Sequence, residues 1–197
     1  MPKVVNHEQR RQLIIDKSTD IIADHGFDEL TIRGLAASLD MSTGMITHYF
    51  DSKDQILFAA LQGVHDRFFQ RAKKAIGDAQ GIEAIRRRMQ ASIPLTKSVK
   101  KDWSIMFQFW GRATHEAEFS RFMKREHNKL RQLDLDHLKQ AQRQGEIDKR
   151  HNLDHIFEQL DAMTTGMGIT SVFNPSRLNR ASTNAIIDET LAQLKPH

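Results

Sequence analysis

The chain has 197 residues, 39% of them hydrophobic and 27% charged, which is enough for one good core or two small ones. It has no cysteine, excluding disulfides and thiolate metal sites, and its ten glycines and four prolines come without any long strand-like alternation, so an all-α protein is expected. Net charge is +4, yet residues 1–53 carry six Lys/Arg against eight Asp/Glu, so bulk charge does not locate an acidic partner.

The opening residues hold no apolar signal core, and no run approaches the roughly 18 apolar residues of a membrane span, so a cytoplasmic protein with no membrane partner is expected. A first helix is expected from about Glu8 to His25, burying Ile14, Ile21 and Ile22 and stopping at Gly26. Lys3, Arg10 and Arg11 lie on or before it.

Residues 31–50 hold two short helical patterns joined by a break. Ile32, Leu35, Ala36 and Leu39 keep the i, i+3, i+4, i+7 spacing of one helix face, Asp40-Met41-Ser42 interrupts it, and Ile46 and Phe50 resume an apolar stripe. This is the layout of a helix-turn-helix, whose second helix enters the DNA major groove. Ser42 starts that helix, and Thr43, Gly44, Thr47 and His48 form its small polar outer face. Gly44 lets the backbone approach a base edge, or else allows close helix packing. Thr31 and Ser52 are placed to cap the helices around the motif, with Ser52-Lys53-Asp54-Gln55 fitting a capping box. Helix starts attract phosphate, and Arg33, Tyr49 and Lys53 add donors there.

A fourth helix is expected from Ser52 to about Ala75, and a fifth carries Ile82, Ile85, Met89 and Ile93 and stops near Pro94. The most apolar stretch follows, with Trp103, Met106, Phe107 and Trp110 at helical spacing. Trp103, Phe107 and Trp110 suit either ordinary core or a small-molecule pocket, with Asp102, His115 and Glu116 as polar lining. A long helix is expected over about 117–144, with Leu130, Leu133 and Leu138 inward, and two more over about 153–172 and 176–195. The basic clusters Arg86-Arg87-Arg88, Lys97 to Lys101 and Arg121 to Arg131 are expected to be solvated helix faces.

Residues 8–68 resemble the tetracycline-repressor (TetR) family of bacterial regulators. The likeness is carried by Gly26-Phe27, Thr31-Ile32 and Tyr49-Phe50-Asp51-Ser52-Lys53 leading into Ile56-Leu57. The third helix, Ser42 to Phe50, is most similar to the choline-responsive betaine-synthesis repressors. Thr47 stands where the family usually has a phosphate-binding tyrosine, a role Tyr49 then takes. Thr31-Ile32-Arg33-Gly34 lacks the acid that often completes the second helix's capping box.

The resemblance implies a three-helix DNA-binding head over residues 1–68 and a helical effector-binding and dimerisation domain over 69–197, about nine helices in all. It further implies a homodimer formed by the last two helices, with Leu160, Met163 and Met167 as interface positions. The expected activity is that of a ligand-released repressor on a palindromic operator. A quaternary amine or hydrophobic cation held by cation–π contact is the implied effector. Alternative readings are a helical small-molecule-binding or adaptor protein without DNA activity, and an activator of the same fold. No G-x-S-x-G, phosphate-cradling glycine loop or H-E-x-x-H occurs, so neither an enzyme nor a cofactor is expected. His151 and His155, beside Asp154, are read as solvent-exposed rather than metal-binding.

Overall fold

The computed structural model describes residues 7–196. Among them, nine helices and no strand occur: α1 (His7–His25), α2 (Ile32–Ser38), α3 (Thr43–Tyr49), α4 (Lys53–Ile76), α5 (Gly81–Ser92), α6 (Lys97–Ala113), α7 (Ala117–Arg143), α8 (Leu153–Phe173) and α9 (Arg180–Ala192). They form two compact units. The first comprises residues up to Asp66 with Ser104–Phe119; the second comprises Arg67–Trp103 with residues from Ser120 onward.

The first unit buries Ile14 and Ile22 of α1, Leu35 of α2, Ile46 of α3 and Leu57 and Leu61 of α4. Ile21, expected inside with Ile22, is only half-buried, and Ile15 takes the second inward position beside Ile14. Aromatic rings close the rest of this core: Phe27 meets Phe109 edge-on at 4.6 Å, and Phe58 stacks on Phe119 at 4.1 Å. Gln108 Nε2 donates to the Ile22 carbonyl at 3.0 Å, tying α6 to the end of α1.

The second unit has its core between α5, α7, α8 and α9, built on Ile85, Met89, Leu138, Phe157, Leu160 and Ile187. Gly81 opens α5 at φ +55, and a Cβ there would lie 2.1 Å from Glu146 Oε2. That close approach lets the Glu146 carboxylate accept the Ile82 N–H at 2.8 Å and cap a helix whose own N-cap, Gln80, makes no side-chain capping bond.

Further expectations change. Arg88, read as part of a solvated basic face, is 1% exposed and pairs with Asp134, which is also 1% exposed. Its Nε donates to Asp134 Oδ1 at 3.0 Å and its Nη2 to Oδ2. Burial raises the Asp134 pKa above the ordinary carboxylate range, and the Arg88 charge opposes that shift. Asp134 thus displaces Leu133 from the inner face of α7, and Leu135 is the buried leucine beside it.

On α6 the buried residues are Val99, Asp102, Ile105 and Phe109, whereas Trp103, Met106, Phe107 and Trp110 are half-buried. Finally, α9 begins at Arg180 instead of Ser176, because Asn179 and Ser182 form a reciprocal capping box there.

A buried ion pair loses most when one partner is removed, since the other charge is left unpaired. Arg88→Met should lower unfolding free energy by about 3–5 kcal/mol, with much of that recovered in Arg88→Met/Asp134→Leu. Urea midpoints of the two variants, compared with the parent chain, check this.

Candidate nucleic-acid interface and effector residues

In the first unit, two seven-residue helices meet at a tight turn. Thr31 caps α2 by accepting the Gly34 N–H at 3.0 Å, and Ser42 caps α3 by accepting the Met45 N–H at 3.1 Å. Between them Asp40 takes the left-handed conformation, φ +52, and the Met41 N–H reaches back to the Ala36 carbonyl at 2.9 Å. Asp is among the few non-glycine residues that enter this region readily.

The expected division of α3 is present. Ile46 is fully buried and Phe50, its C-cap residue, is 2% exposed. Ser42, Thr43, Gly44, Thr47 and His48 are all exposed on the outside. A Cβ on Gly44 would find its nearest neighbour, Ser42 Oγ, at 3.9 Å. Helix packing within the chain therefore does not require the glycine.

Around this face lie the donors. Thr31 and Arg33 are exposed at the start of α2, and Lys53 is half-buried at the start of α4. Ser52 Oγ accepts the Gln55 N–H at 3.2 Å as the capping box requires, but the Gln55 side chain returns to the Asp51 N–H, at 3.0 Å, rather than to Ser52. A second bond, from Gln55 Nε2 to Asp51 Oδ2 at 3.0 Å, fixes it there.

Tyr49 is half-buried, and its hydroxyl lies 3.2 Å from His7 Nδ1. Beside it a cleft of about 370 Å³ is lined by His7, Arg10, Ser42, Met45, His48 and Tyr49. His7 escaped sequence reasoning because only the packing of α1 beside α3 brings it within reach. Of the other early cations, Arg11 turns inward over the Phe50 ring at 5.0 Å, and Lys3 lies outside the described residues.

The proposed effector aromatics fall in different units: Trp103 in the second, Phe107 and Trp110 in the first. Trp103 Nε1 donates to the Ser92 carbonyl at 2.8 Å, and its ring lies over Gly168, where a Cβ would come within 2.2 Å of it. Phe107 and Trp110 meet edge-on at 5.3 Å.

The acids expected to line a pocket are already engaged. Asp102 is buried between Arg67 at 2.7 Å and Arg71 at 2.5 Å. Glu116 is held by Arg112 at 2.5 Å, and Arg112 also covers the Phe119 ring at 4.4 Å. His115 is exposed.

His151 precedes the α8 cap Asn152, so it shares no helix face with His155. Among the described residues no group of three or more His, Asp or Glu side chains is arranged to hold a metal, and no helix is long and apolar enough to cross a membrane.

Leu160 and Met167, expected at a subunit interface, lie in the core of the second unit, with Met163 partly buried against it. The exposed positions of α8 are Asp154, His155, Glu158 and Gln159 in its first half and Ala162, Gly166, Ile169 and Phe173 in its second. Ile169 is 37% and Phe173 77% exposed.

Comparison with known proteins gives a consistent picture. The family profile described as "BetI-type transcriptional repressor, C-terminal" matches residues 81–196, and "Bacterial regulatory proteins, tetR family" matches residues 14–60. The HTH-type transcriptional regulator PksA of Bacillus subtilis is 23% identical over 193 residues, covering 95% of this chain and 90% of that protein. The regulator BetI of Burkholderia thailandensis is 30% identical over 128 residues, 61% of this chain and 63% of BetI.

Among solved structures, a putative transcriptional regulator from Saccharomonospora viridis in complex with choline superposes with a TM-score of 0.83 at 20% identity, covering 92% and 95% of the two chains. A putative regulator from Pseudomonas aeruginosa PAO1 gives a TM-score of 0.83 at 22% identity, with 97% and 92% covered.

Proposed function

The chain belongs to the TetR family, with a BetI-type C-terminal domain, and is a DNA-binding transcriptional regulator rather than an enzyme; from that premise we propose how it reads DNA and responds to a ligand. Residues 1–68 serve as the DNA-binding domain and 69–197 as the effector and dimerisation domain. The observation that carries the reading is the outer face of α3, exposed, small and free of acids, over a buried Ile46 and Phe50.

Thr43, Gly44, Thr47 and His48 face the bases. Ser42 starts the reading helix, and the helix starts capped by Thr31 and Ser52, with Arg33, Tyr49 and Lys53, hold phosphates. No Arg, Lys, Asn or Gln stands on the reading face, so bidentate base contacts contribute little and DNA shape carries a large share of recognition.

Two half-sites of a palindrome call for two heads on a twofold frame. We assign the homodimer contact to α8 and α9. Support comes from the charge-free run Ala162–Phe173, whose exposed side chains include Ile169 and Phe173, and from the exposed Ala181, Ala185 and Ala192 on α9.

The regulator is a repressor released by a small molecule, and a quaternary amine is the first candidate, as the relative solved with choline suggests. Trp103, Phe107 and Trp110 each offer a half-buried aromatic face for cation–π contact. With Asp102 and Glu116 already paired to arginines, those faces would carry the recognition. Release requires tighter binding to the form that does not hold DNA; a hundredfold preference corresponds to about 2.7 kcal/mol.

Gel shifts on a duplex taken from upstream of the protein's own gene test the DNA reading. Lys53→Ala should weaken binding to all sequences and flatten the salt slope by about one unit, and an unchanged slope would sink the phosphate role. Gly44→Ala should raise unfolding free energy by up to about 1 kcal/mol while weakening that DNA complex.

For the dimer, Ile169→Arg should sediment as a folded monomer with poor operator affinity. A dimeric Ile169→Arg that binds normally would put the interface elsewhere.

Choline titration should quench tryptophan fluorescence and release the DNA. If choline and larger hydrophobic cations do neither, the aromatic stripe is core.

A further inference from the structure

A cavity of about 270 Å³ opens in the second unit at the start of α9, and nothing in the regulator's DNA or choline chemistry calls for it. Pro94, Leu95, Pro175 and Leu178 give it apolar walls, while Lys100, Arg180 and Ser171 contribute the polar ones. The two chain segments that build it, residues 94–101 and 171–182, contain three lysines and two arginines and no acid. Its electrostatic character is the opposite of what a quaternary ammonium needs.

Two further features make this a built site. Ser171 is 1% exposed and its Oγ has no hydrogen-bond partner, a state that costs a buried hydroxyl unless an acceptor arrives. At the start of α9, Asn179 Oδ1 accepts the Ser182 N–H and Ser182 Oγ accepts the Asn179 N–H, both at 3.0 Å. The amides of Arg180 and Ala181, in the first turn, have no acceptor within the helix by its geometry, and the helix dipole favours negative charge there.

We propose that this cavity binds a compact organic anion, with a carboxylate facing Lys100, Arg180 and the α9 amides and an apolar body against the prolines and leucines. The Ser171 hydroxyl would donate the remaining bond. The volume sits at the small end of ligand pockets, which selects a short aliphatic or single-ring acid. The proposal stands independently of the operator and choline readings.

Calorimetric titration of the full chain tests it, with benzoate, phenylacetate and hexanoate as probes, benzamide as the uncharged control, and inorganic phosphate as charge without a body. At least one carboxylate should bind tenfold or more tighter than benzamide and raise the melting temperature in proportion to its concentration.

Arg180→Gln, at an exposed position, and Ser171→Ala, which removes an unpartnered hydroxyl, should each weaken that binding about tenfold without lowering the melting temperature of the unliganded chain. Failure of all three acids to bind, binding of phosphate alone, or equal binding by both variants would overturn the proposal. Loss of the DNA complex in the parent chain would instead count against the operator reading, which the titration does not touch.

Discussion

A helix of seven residues does not persist in water, because the cost of nucleating it exceeds what so few hydrogen bonds return. Both α2 and α3 have that length, so the surface that meets DNA exists only through what lies beneath it. Ile46 and Phe50 anchor α3 in the first unit's core, Leu35 and Ala36 anchor α2, and Thr31 and Ser42 close the two helix starts. Asp40 completes the turn by accepting a backbone conformation most side chains avoid. The buried anchoring of the motif is carried by the inner residues, the caps and the turn; on the outer face Thr47 Oγ1 donates only to the Gly44 carbonyl, at 3.2 Å, and the His48 ring meets that of Tyr49 at 5.3 Å.

That arrangement was legible in the sequence because it is local. The phase of Ile46 and Phe50, the caps and the small outer face all follow from spacings of three and four residues. Reading failed where a charge is buried by a partner far along the chain. Asp102 reads from sequence as polar lining for a pocket beside an aromatic stripe of Trp103, Met106, Phe107 and Trp110. Arg67 and Arg71, from α4, neutralise Asp102 and turn the helix so that Ile105 and Phe109 face inward. On α5 the stripe Ile85, Met89 and Ile93 follows the sequence reading, but Arg88 and its partner Asp134, 46 residues away, are buried beside it and move Leu133 off the inner face of α7. At α9 the miss was subtler: Asn179 and Ser182 cap the helix four residues after the first plausible start, leaving Ala181 and Ala185 outside.

The same pairs explain why bulk charge was a poor guide. Several arginines of this chain pair with its own buried acids or lie over its own rings. Arg88 and Arg71 serve buried acids, Arg11 covers Phe50, Arg112 covers Phe119, and Arg125 covers Phe122. A guanidinium does this more readily than an ammonium, because it is planar and less strongly hydrated. These paired and ring-covering cations are not available to a partner, so the net charge of +4 does not locate a binding surface.

Because the outer face of α3 contributes nothing to the buried core, it is also the part of the molecule most open to inheritance of new meaning. A Cβ on Gly44 encounters nothing closer than 3.9 Å, and Thr43, Thr47 and His48 point away from the core. A duplicated copy of the gene can drift at these positions with its folding intact, acquiring a different set of promoters before any change reaches the rest of the protein. The lineage can thus diversify its regulatory targets and its chemical signals on separate schedules, each copy remaining a folded, selectable protein throughout.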